Sequence, residues 1–257
     1  MIVFRKQRRQ RTVAGMRILP LGVGDAFSAR YYSSCLVVEH EGSRLLIDCP
    51  HPIRKMMKEA DPELDVGSLL GCVITHLHAD HASGLEGLGY FSFFVQRSKM
   101  KLLIHPDVAH RLWEGHLAAG MEHLMRASDH HVDDKQLTDY FEPIDLDTTR
   151  AVELGPFRVE CRKTIHHIPT TALRISAGDR VFGYSADTAF DESLIAWLDA
   201  AHLIAHETNL GVHTPYEKLA ALPEALRAKM RLIHYTDFFD TESSVIAPLR
   251  QGAWISV

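Results

Sequence analysis

The sequence THLHADH at residues 75–81 is the most informative feature of this chain. It places four potential metal ligands within six residues: His76, His78, Asp80 and His81. Imidazole suits zinc, iron and manganese, and a carboxylate adds a hard oxygen and a negative charge. The apolar residues before it, 69–74, predict a short buried strand, so the ligands fall on the turn that follows the strand. Their uneven spacing on a tight turn suits two adjacent metals better than one.

The stretch resembles the HxHxDH motif of the metallo-β-lactamase superfamily. The glycine-containing residues 82–88 resemble the helix start that follows this motif in the family, and residues 19–27 and 33–48 resemble its first strand, glycine loop and hairpin. The resemblance extends over most of the chain in the expected order. It implies an α/β fold, the αββα four-layer sandwich, in which two mixed β-sheets lie face to face and are flanked by helices. The sequence pattern alone supports only a mixed α/β domain.

The resemblance calls for three further ligands downstream: a third histidine, a bridging aspartate and a final histidine. A His-His-Ile-Pro sequence, similar to the third motif of the transfer-RNA 3′-processing branch, offers His166 or His167. His166 is preferred, because its spacing to Pro169 and Arg174 fits that motif and because two neighbouring residues cannot both point to one face of a strand. Asp187 lies in a segment that resembles the family's Tyr-Ser-Gly-Asp-Thr, with Ala186 in place of the glycine. His234, after an apolar pair, is the candidate for the last ligand.

These residues imply a dinuclear metal-dependent hydrolase that acts through a metal-bridging hydroxide. The implied ligand set is His76, His78 and His166 for one metal, Asp80, His81 and His234 for the second, and Asp187 between them. Zinc is favoured, with manganese or iron as alternatives, because the same ligands accept all three. Asp80 is counted as a catalytic residue as well as a ligand. Asp48 is expected either to orient a ligand histidine or to cap a turn.

Beyond the ligands, the resemblance points to Glu207 and His213 as catalytic residues. Residues 205–208 resemble the His-Glu-Ala-Thr motif of the RNA-processing branch, and His213 with the following threonine resembles its later His-Ser-Thr, although the interval between the two is much shorter here. A histidine near two metals can protonate a leaving alkoxide, so His213 is the candidate acid and Glu207 its orienting partner. The alternative is that His206 and His213 are loop residues without a catalytic role.

The context of the third histidine favours one class of hydrolase. Glyoxalase II and lactonases usually carry their third histidine in the sequence Gly-His-Thr-x-Gly, which this chain lacks. The resemblance therefore favours the phosphodiesterase branch. This branch includes RNase Z-like enzymes and cyclic-nucleotide phosphodiesterases. The expected substrate is a small-molecule or nucleotide phosphodiester. Transfer RNA is less favoured, because no Gly/Pro-rich protruding arm is found. A lactonase or thioester hydrolase, an RNA 3′-processing endonuclease and a non-catalytic metal-binding regulator are the alternatives; the intact ligand set argues against the last.

Length and composition indicate a single domain at residues 16–257. The chain has 257 residues, of which 46% are hydrophobic and 24% charged, as is ordinary for a globular protein with a substantial core. The net charge of −5 does not favour broad binding to a phosphate backbone. No apolar run approaches the roughly 18 residues that span a bilayer, so no membrane partner is expected. The four scattered cysteines predict reduced core thiols and a cytoplasmic location.

Two segments stand apart from this pattern. Residues 1–15 are rich in arginine and predict a flexible basic extension, with nucleic-acid contact as the alternative. Residues 106–141 lie between the second and third metal motifs, where the superfamily places substrate-selecting insertions. Their apolar residues recur at helical spacing, which predicts a helical insertion with helices at 107–127 and 133–139. Its histidines would lie on a solvated face or enter the active-site mouth, and its wide apolar surface leaves a homodimer open.

The rest of the chain alternates between strand and helix patterns. Strands are expected near residues 16–22, 34–40, 43–48, 70–74, 101–105, 150–154, 157–163, 171–176, 180–184, 202–205 and 231–234. Further helices are expected near residues 51–60, 83–88, 191–198, 215–227 and 243–250. Gly178-Asp179 indicates a hairpin between two of the strands, and Pro223 is expected to separate helical pieces.

Overall fold

The computed structural model describes residues 15–257, so the basic extension predicted for residues 1–15 lies outside the described residues apart from Gly15. The strands are β1 (Met16–Gly22), β2 (Cys35–His40), β3 (Ser43–Ile47), β4 (Gly71–Ile74), β5 (Met100–Ile104), β6 (His123–Met125), β7 (Val132–Asp134), β8 (Phe141–Asp145), β9 (Val152–Leu154), β10 (Phe157–Lys163), β11 (Thr171–Ala177), β12 (Arg180–Tyr184), β13 (Leu203–Glu207), β14 (Met230–Ile233) and β15 (Ile255–Ser256). The α-helices are α1 (Ile53–Ala60), α2 (Ala79–Ala82), α3 (Leu85–Phe91), α4 (Pro106–Ala109), α5 (Ala118–Met121), α6 (Leu137–Tyr140), α7 (Glu192–Leu198), α8 (Tyr216–Ala220) and α9 (Glu224–Ala228). A 3₁₀ turn occupies Val66–Ser68, and π-helical turns occupy Ser92–Gln96 and Trp113–Leu117.

The first sheet has seven strands in the order β15-β1-β2-β3-β4-β5-β8. Strands β1 to β3 form an antiparallel meander, whereas β3, β4, β5 and β8 are parallel. Because the carboxyl ends of parallel strands meet at one edge, the residues after β3 and β4 are brought together there. Asp48 and the THLHADH motif are those residues.

The second sheet has six strands in the order β14-β13-β12-β11-β10-β9. Strands β9 to β12 are antiparallel, and the hairpin between β11 and β12 turns at Gly178 as predicted. Strands β12, β13 and β14 are parallel. Their carboxyl ends therefore share one edge, where Asp187, Glu207 and His234 lie.

Alternate residues of the strands face two different apolar layers. Val38 of β2 packs in one buried cluster with Phe182 of the second sheet, whereas its neighbour Val37 packs in another with Met56 of α1. On the far side of the second sheet, Gly183 leaves room for Leu198 of α7, since a Cβ at this glycine would lie 3.1 Å from the leucine. The layers therefore run helix, sheet, sheet, helix, and the predicted αββα sandwich is confirmed.

The insertion at residues 106–141 is less helical than predicted. Residues 123–125 and 133–134 are predicted to be helical, but residues 123–125 pair with residues 132–134 as the antiparallel hairpin of β6 and β7. Leu112 and Leu117 are both buried although five positions apart, because a π-type bond of 3.0 Å from the Leu117 amide to the Leu112 carbonyl widens the turn. Between Glu122 and Asp139 the side chains are exposed or half-buried, so no continuous apolar face stabilises a long helix there.

The helix predicted at residues 243–250 is also wrong. The Asp240 carboxylate accepts hydrogen bonds from the Ser243 amide and hydroxyl, and the Tyr216 hydroxyl accepts one from the Val245 amide. The following residues run beside β14, with the Leu249 amide donating to the Leu232 carbonyl at 2.8 Å. Side-chain acceptors and a neighbouring strand thus satisfy the backbone that a helix would otherwise bond internally.

Several other expectations agree with the structure. The predicted strands are present within one or two residues, and Pro223 separates α8 from α9. The four cysteines are all free and buried. Among residues 15–257, every helix is too short or too polar to traverse a lipid bilayer. Strands β8 and β15, at the two edges of the first sheet, were not predicted.

Candidate metal centre

The THLHADH motif begins where β4 ends, and its backbone is fixed by Asp48, which directly follows the neighbouring parallel strand β3. The Asp48 carboxylate accepts hydrogen bonds from the amide and the hydroxyl of Thr75, both at 2.9 Å. His76 follows with its side chain fully buried. Helix α2 then begins at Ala79, so that Asp80 lies in its first turn. The end of one strand and the start of a short helix thus hold all four potential ligands of the motif.

The second sheet supplies the other members of the centre. Asp187 follows β12 and His234 directly follows β14, at the shared edge of these parallel strands. His166 lies in the loop that joins β10 to β11. The candidate metal centre therefore lies at one open edge of the sandwich and is built from both sheets.

Three histidines lie together beside Asp187, and two of them face its Oδ2. His78 Nδ1 lies 3.1 Å from His76 Nε2 and 3.2 Å from His166 Nε2. Asp187 Oδ2 lies 3.6 Å from His76 Nε2 and 3.8 Å from His166 Nε2. These four residues form one group that could hold a metal ion.

A second group faces the other oxygen of the same aspartate. Asp80 Oδ2 lies 3.4 Å from His81 Nε2 and 3.2 Å from His234 Nε2. Asp187 Oδ1 lies 3.3 Å from His81 Nε2 and 3.6 Å from His234 Nε2. Because the two carboxylate oxygens of Asp187 serve separate groups, this residue occupies the position expected of a bridging ligand.

The donor atoms of the centre fit divalent cations. His81 Nε2 and Asp187 Oδ1 are buried and have no hydrogen-bond partner, which is costly unless an ion occupies the space between them. Burial lowers the pKa of His166 to about 4 and that of His76 well below its usual value, so both imidazoles are neutral near pH 7, the form that binds metals. Although burial opposes it, the carboxylates raise the pKa values of His81 and His234, which shows that this end of the centre favours positive charge.

Asp48 contacts both the turn that begins at Thr75 and the candidate ligand His81. Besides fixing Thr75, its Oδ2 accepts a hydrogen bond of 2.9 Å from His81 Nδ1. This contact orients the ring and leaves Nε2 free for a cation, which is the usual arrangement around a metal-binding histidine. Burial raises the pKa of Asp48, and the contacts with His81 and Thr75 oppose this rise.

The backbone at the centre is locally strained. Asp48, Ala186 and His234 all have positive φ angles, of 60°, 49° and 60°. Side chains other than glycine rarely adopt this conformation, and such residues cluster at functional sites. The φ of Ala186 also explains why glycine suits the corresponding position of the motif that this segment resembles.

Of the two neighbouring histidines, the structure brings His166 into the centre. Its Nε2 faces His78 Nδ1 and Asp187 Oδ2, and its side chain is fully buried. His167 is exposed, and its ring centroid lies 4.6 Å from that of His78 without joining either ligand group.

Glu207 and His213 form a pair beside the centre. His213 Nδ1 lies 2.9 Å from Glu207 Oε1 and 4.0 Å from Asp187 Oδ2. Although burial opposes it, the Glu207 carboxylate raises the pKa of His213, while burial raises the pKa of Glu207. Such a pair can hold a proton at the edge of the centre. His206, by contrast, lies inside β13, where its Nδ1 donates to the Glu207 carbonyl at 2.8 Å.

Most of this chain matches a known protein family. The model of the family described as "Anti-Pycsar protein Apyc1" matches residues 16–250. The chain belongs to this family. It is 35% identical over 236 residues to the Apyc1 protein of Bacillus phage BSP38, covering 86% of this chain and 89% of the relative. It is 27% identical over 230 residues to that of Paenibacillus xerothermodurans, covering 86% and 88%.

Solved structures place the Apyc1-family chain in the metallo-β-lactamase fold, as the sequence motifs predict. The metallo-β-lactamase fold protein YhfI from Bacillus subtilis superposes with a TM-score of 0.74 at 17% identity, covering 94% of this chain and 99% of that one. The short form of human tRNase Z superposes with a TM-score of 0.66 at 19% identity, covering 93% and 98%. At these identities the likeness establishes the fold alone.

A cavity of about 1120 Å³ opens onto the centre of this Apyc1-family chain. Asp80, Asp187, His213 and His234 line its floor, and no lysine or arginine is among the described residues that line it. Nor does any residue of 106–141 line it, so the insertion's histidines do not reach the active-site mouth through this cavity. Most of them are exposed, in agreement with a solvated face.

The sequence did not identify the residues that form the other wall of the cavity. Asp25 and Asn209 are hydrogen-bonded to each other there, and Phe27 and Phe238 project beside them. Isolated phenylalanines in loops carry no motif. The only available signal was that Asp25 follows the glycine loop of the first strand.

Proposed function

We propose that this chain is a two-metal phosphodiesterase that hydrolyses a small nucleotide phosphodiester, with a cyclic nucleotide as the leading candidate. The observation that carries the proposal is the division of the ligand groups between the two oxygens of Asp187. Two cations held on either side of one carboxylate suit the in-line displacement of a phosphodiester, in which both the attacking and the leaving oxygen need stabilisation. The sequence resemblance to the phosphodiesterase branch supports the same reaction.

Zinc is the favoured metal, with manganese or iron as alternatives. His76, His78 and His166 would hold one ion, Asp80, His81 and His234 the other, and Asp187 both. Imidazoles outnumber carboxylates in this set, which suits zinc but excludes neither alternative. When bound, such cations lower the pKa of water to about 7 and offset the negative charge that develops on a phosphoryl group.

The chain's own residues would supply the protons. His213 is held by Glu207 through Nδ1, which leaves Nε2 as the nitrogen that can exchange a proton with a ligand in the cavity. Because the pairing raises the pKa of His213, more of the imidazole is protonated near neutral pH, as an acid for the departing alkoxide requires. Glu207 orients the ring and is itself fixed by the Thr188 amide at 2.7 Å.

The lining of the cavity favours a small substrate over RNA. Binding of a polynucleotide backbone needs clustered lysine and arginine side chains, and the described residues that line this cavity include neither. The net charge of −5 agrees with this preference. A single phosphodiester needs no such cluster, since the cations of the centre would neutralise its negative charge.

A metal-supplemented screen tests the proposal. Purified protein is stripped of metal, reloaded with zinc, manganese or iron, and assayed on 3′,5′-cyclic nucleotides, bis(4-nitrophenyl) phosphate, a lactone, a thioester and an RNA precursor. The expected result is turnover of the phosphodiesters that needs reloading and is abolished in Asp187→Ala. Turnover of the lactone or thioester without either phosphodiester would replace the proposal with carbonyl hydrolysis on the same fold.

A further inference from the structure

Two aromatic side chains at the mouth of the cavity pack against almost nothing. Phe27 is 93% exposed and Phe238 is 97% exposed, and both line the cavity whose floor holds Asp187 and His234. Exposed Leu210 lies in the same wall. A single exposed apolar residue is ordinary, but a group of them around the opening of a polar cavity marks a binding surface.

The loop that carries Phe27 is anchored to the metal centre. Asp25 Oδ1 accepts a hydrogen bond of 3.0 Å from the Phe27 amide, and Asp25 Oδ2 accepts one of 3.0 Å from Asn209 Nδ2. The same Asn209 amide group lies 3.0 Å from the carbonyl oxygen of His234. The backbone of Phe27 is thus tied through two side chains to a candidate ligand.

Asp237 fastens the same loop to the segment that carries Phe238. Its carboxylate accepts hydrogen bonds from the Ser28 hydroxyl, from the Ala29 amide at 2.7 Å and from the Arg30 amide at 3.3 Å. The Arg30 guanidinium donates in turn to the Asp237 carbonyl at 3.1 Å. Both phenylalanine backbones are therefore held in place, although their rings lack packing partners.

We propose that Phe27 and Phe238 form a stacking platform for the base of a nucleotide whose phosphodiester lies at the Asp187 centre, with Asp237 as the residue that positions the platform. This inference rests on the proposed function. Bases present an uncharged π-face that stacks on aromatic rings, and such recognition needs no cationic side chain. The cavity supplies the two requirements together: a ligand-rich floor for the phosphate and a fixed aromatic rim for the base.

The test compares a substrate that has a base with one that lacks it. Phe27→Ala and Phe238→Ala are assayed, fully metallated, on a 3′,5′-cyclic nucleotide and on 1,2-cyclic glycerophosphate. The ratio of the nucleotide KM to the glycerophosphate KM should rise about tenfold in each variant, while Phe27→Tyr, which keeps a ring, should stay near the wild type. Phe94→Ala is the matched control, because Phe94 is 43% exposed and lies outside the cavity.

Three results would overturn the platform. An unchanged ratio of KM values means that the rings do not touch the base. An equal loss on both substrates, together with a change from dimer to monomer in sedimentation, means that a second copy of the chain covers the rings. Failure of the metallated wild type on both diesters would reject the proposed function together with the platform, and is therefore distinguishable from the first two results.

A double-mutant comparison isolates the positioning role of Asp237. Asp237→Ala alone should raise the same KM ratio, because the platform is no longer held. In a Phe27→Ala/Phe238→Ala background the same change should have less than about a twofold effect, since nothing remains to be positioned. Equal effects in both backgrounds would show that Asp237 acts independently of the rings and would remove its positioning role.

Discussion

Replacement of His213 by asparagine is expected to slow hydrolysis selectively, according to the leaving group of the diester. With an alkoxide or ribose leaving group, kcat/KM should fall by about 10²–10⁴, the usual range for loss of a positioned acid. With a 4-nitrophenolate leaving group the loss should be far smaller, because that anion departs without protonation. The contrast follows if His213 Nε2 delivers the proton while Nδ1 remains bonded to Glu207.

Asparagine is chosen because of the burial of Glu207. The Glu207 side chain is 1% exposed and is hydrogen-bonded to His213 and to the Thr188 amide. Removal of the imidazole would therefore leave a buried carboxylate without one of its partners. Breaking a fully buried pair costs about 3–5 kcal/mol. The cost here should be lower, since the His213 side chain is 18% exposed. An asparagine amide can replace Nδ1 as the donor, so that the variant loses the acid without losing the fold.

The assay measures kcat/KM on an alkyl and an aryl diester between pH 6 and pH 9, with metal content determined in the same samples. In the wild type the rate on the alkyl diester should fall as pH rises through the raised pKa of His213, because the acid is lost on deprotonation. The variant should lack this fall. Equal losses on both diesters at full metal content would refute the acid role and leave His213 as a binding or structural residue.

Three further outcomes are expected. Asp187→Ala should lose most of the second equivalent of metal and nearly all hydrolysis, as elemental analysis and assay would show; full activity would reject the bridging role. His166→Ala should lose metal and activity together whereas His167→Ala should keep its metal, and the reverse pattern would mean that the neighbour is the ligand. Burial lowers the pKa of His206 to about 4, so the free energy of unfolding should decrease by about 3 kcal/mol as pH falls from 6.5 to 4. Urea unfolding of the wild type and His206→Gln at both pH values measures this loss, and an equal fall in the two proteins would contradict it.

Much of the centre could be predicted because its ligands stand where strands end. An apolar strand such as β4 is recognisable from composition, and the residues that follow it are held by a rigid sheet. Once the motif fixes one group of ligands, parallel strand order brings Asp187 and His234 to the same edge. The preference for His166 over His167 rested on the His-x-x-Pro register of the motif that this segment resembles. Both residues lie in a loop rather than a strand, and the structure brings His166 alone into a ligand group.

The failures have physical causes that local patterns do not contain. The helical spacing of the insertion does not produce a helix between Glu122 and Gln136, because no apolar side chain of that stretch is buried by a partner. The segment at 243–250 has a helix-like pattern, but bonds from Leu249 to Leu232 and from Val245 to Tyr216 hold it extended. Strand β8 contains Pro143, which is tolerated only because β8 is the edge strand of its sheet.

The metal centre takes its candidate ligands from both sheets, and this has a mechanical consequence. Contacts within it join residues that are 88 and 154 positions apart, His78 to His166 and Asp80 to His234, and each pair links one sheet to the other. A bound cation would therefore act as a cross-link in a chain whose four cysteines are all free. Closing a loop of about 100 residues is worth up to roughly 5 kcal/mol in the chain-entropy model. Chelation should consequently lower the melting temperature and speed amide exchange at this edge of the sandwich, so that metal supply would govern how long the protein survives as well as how fast it works.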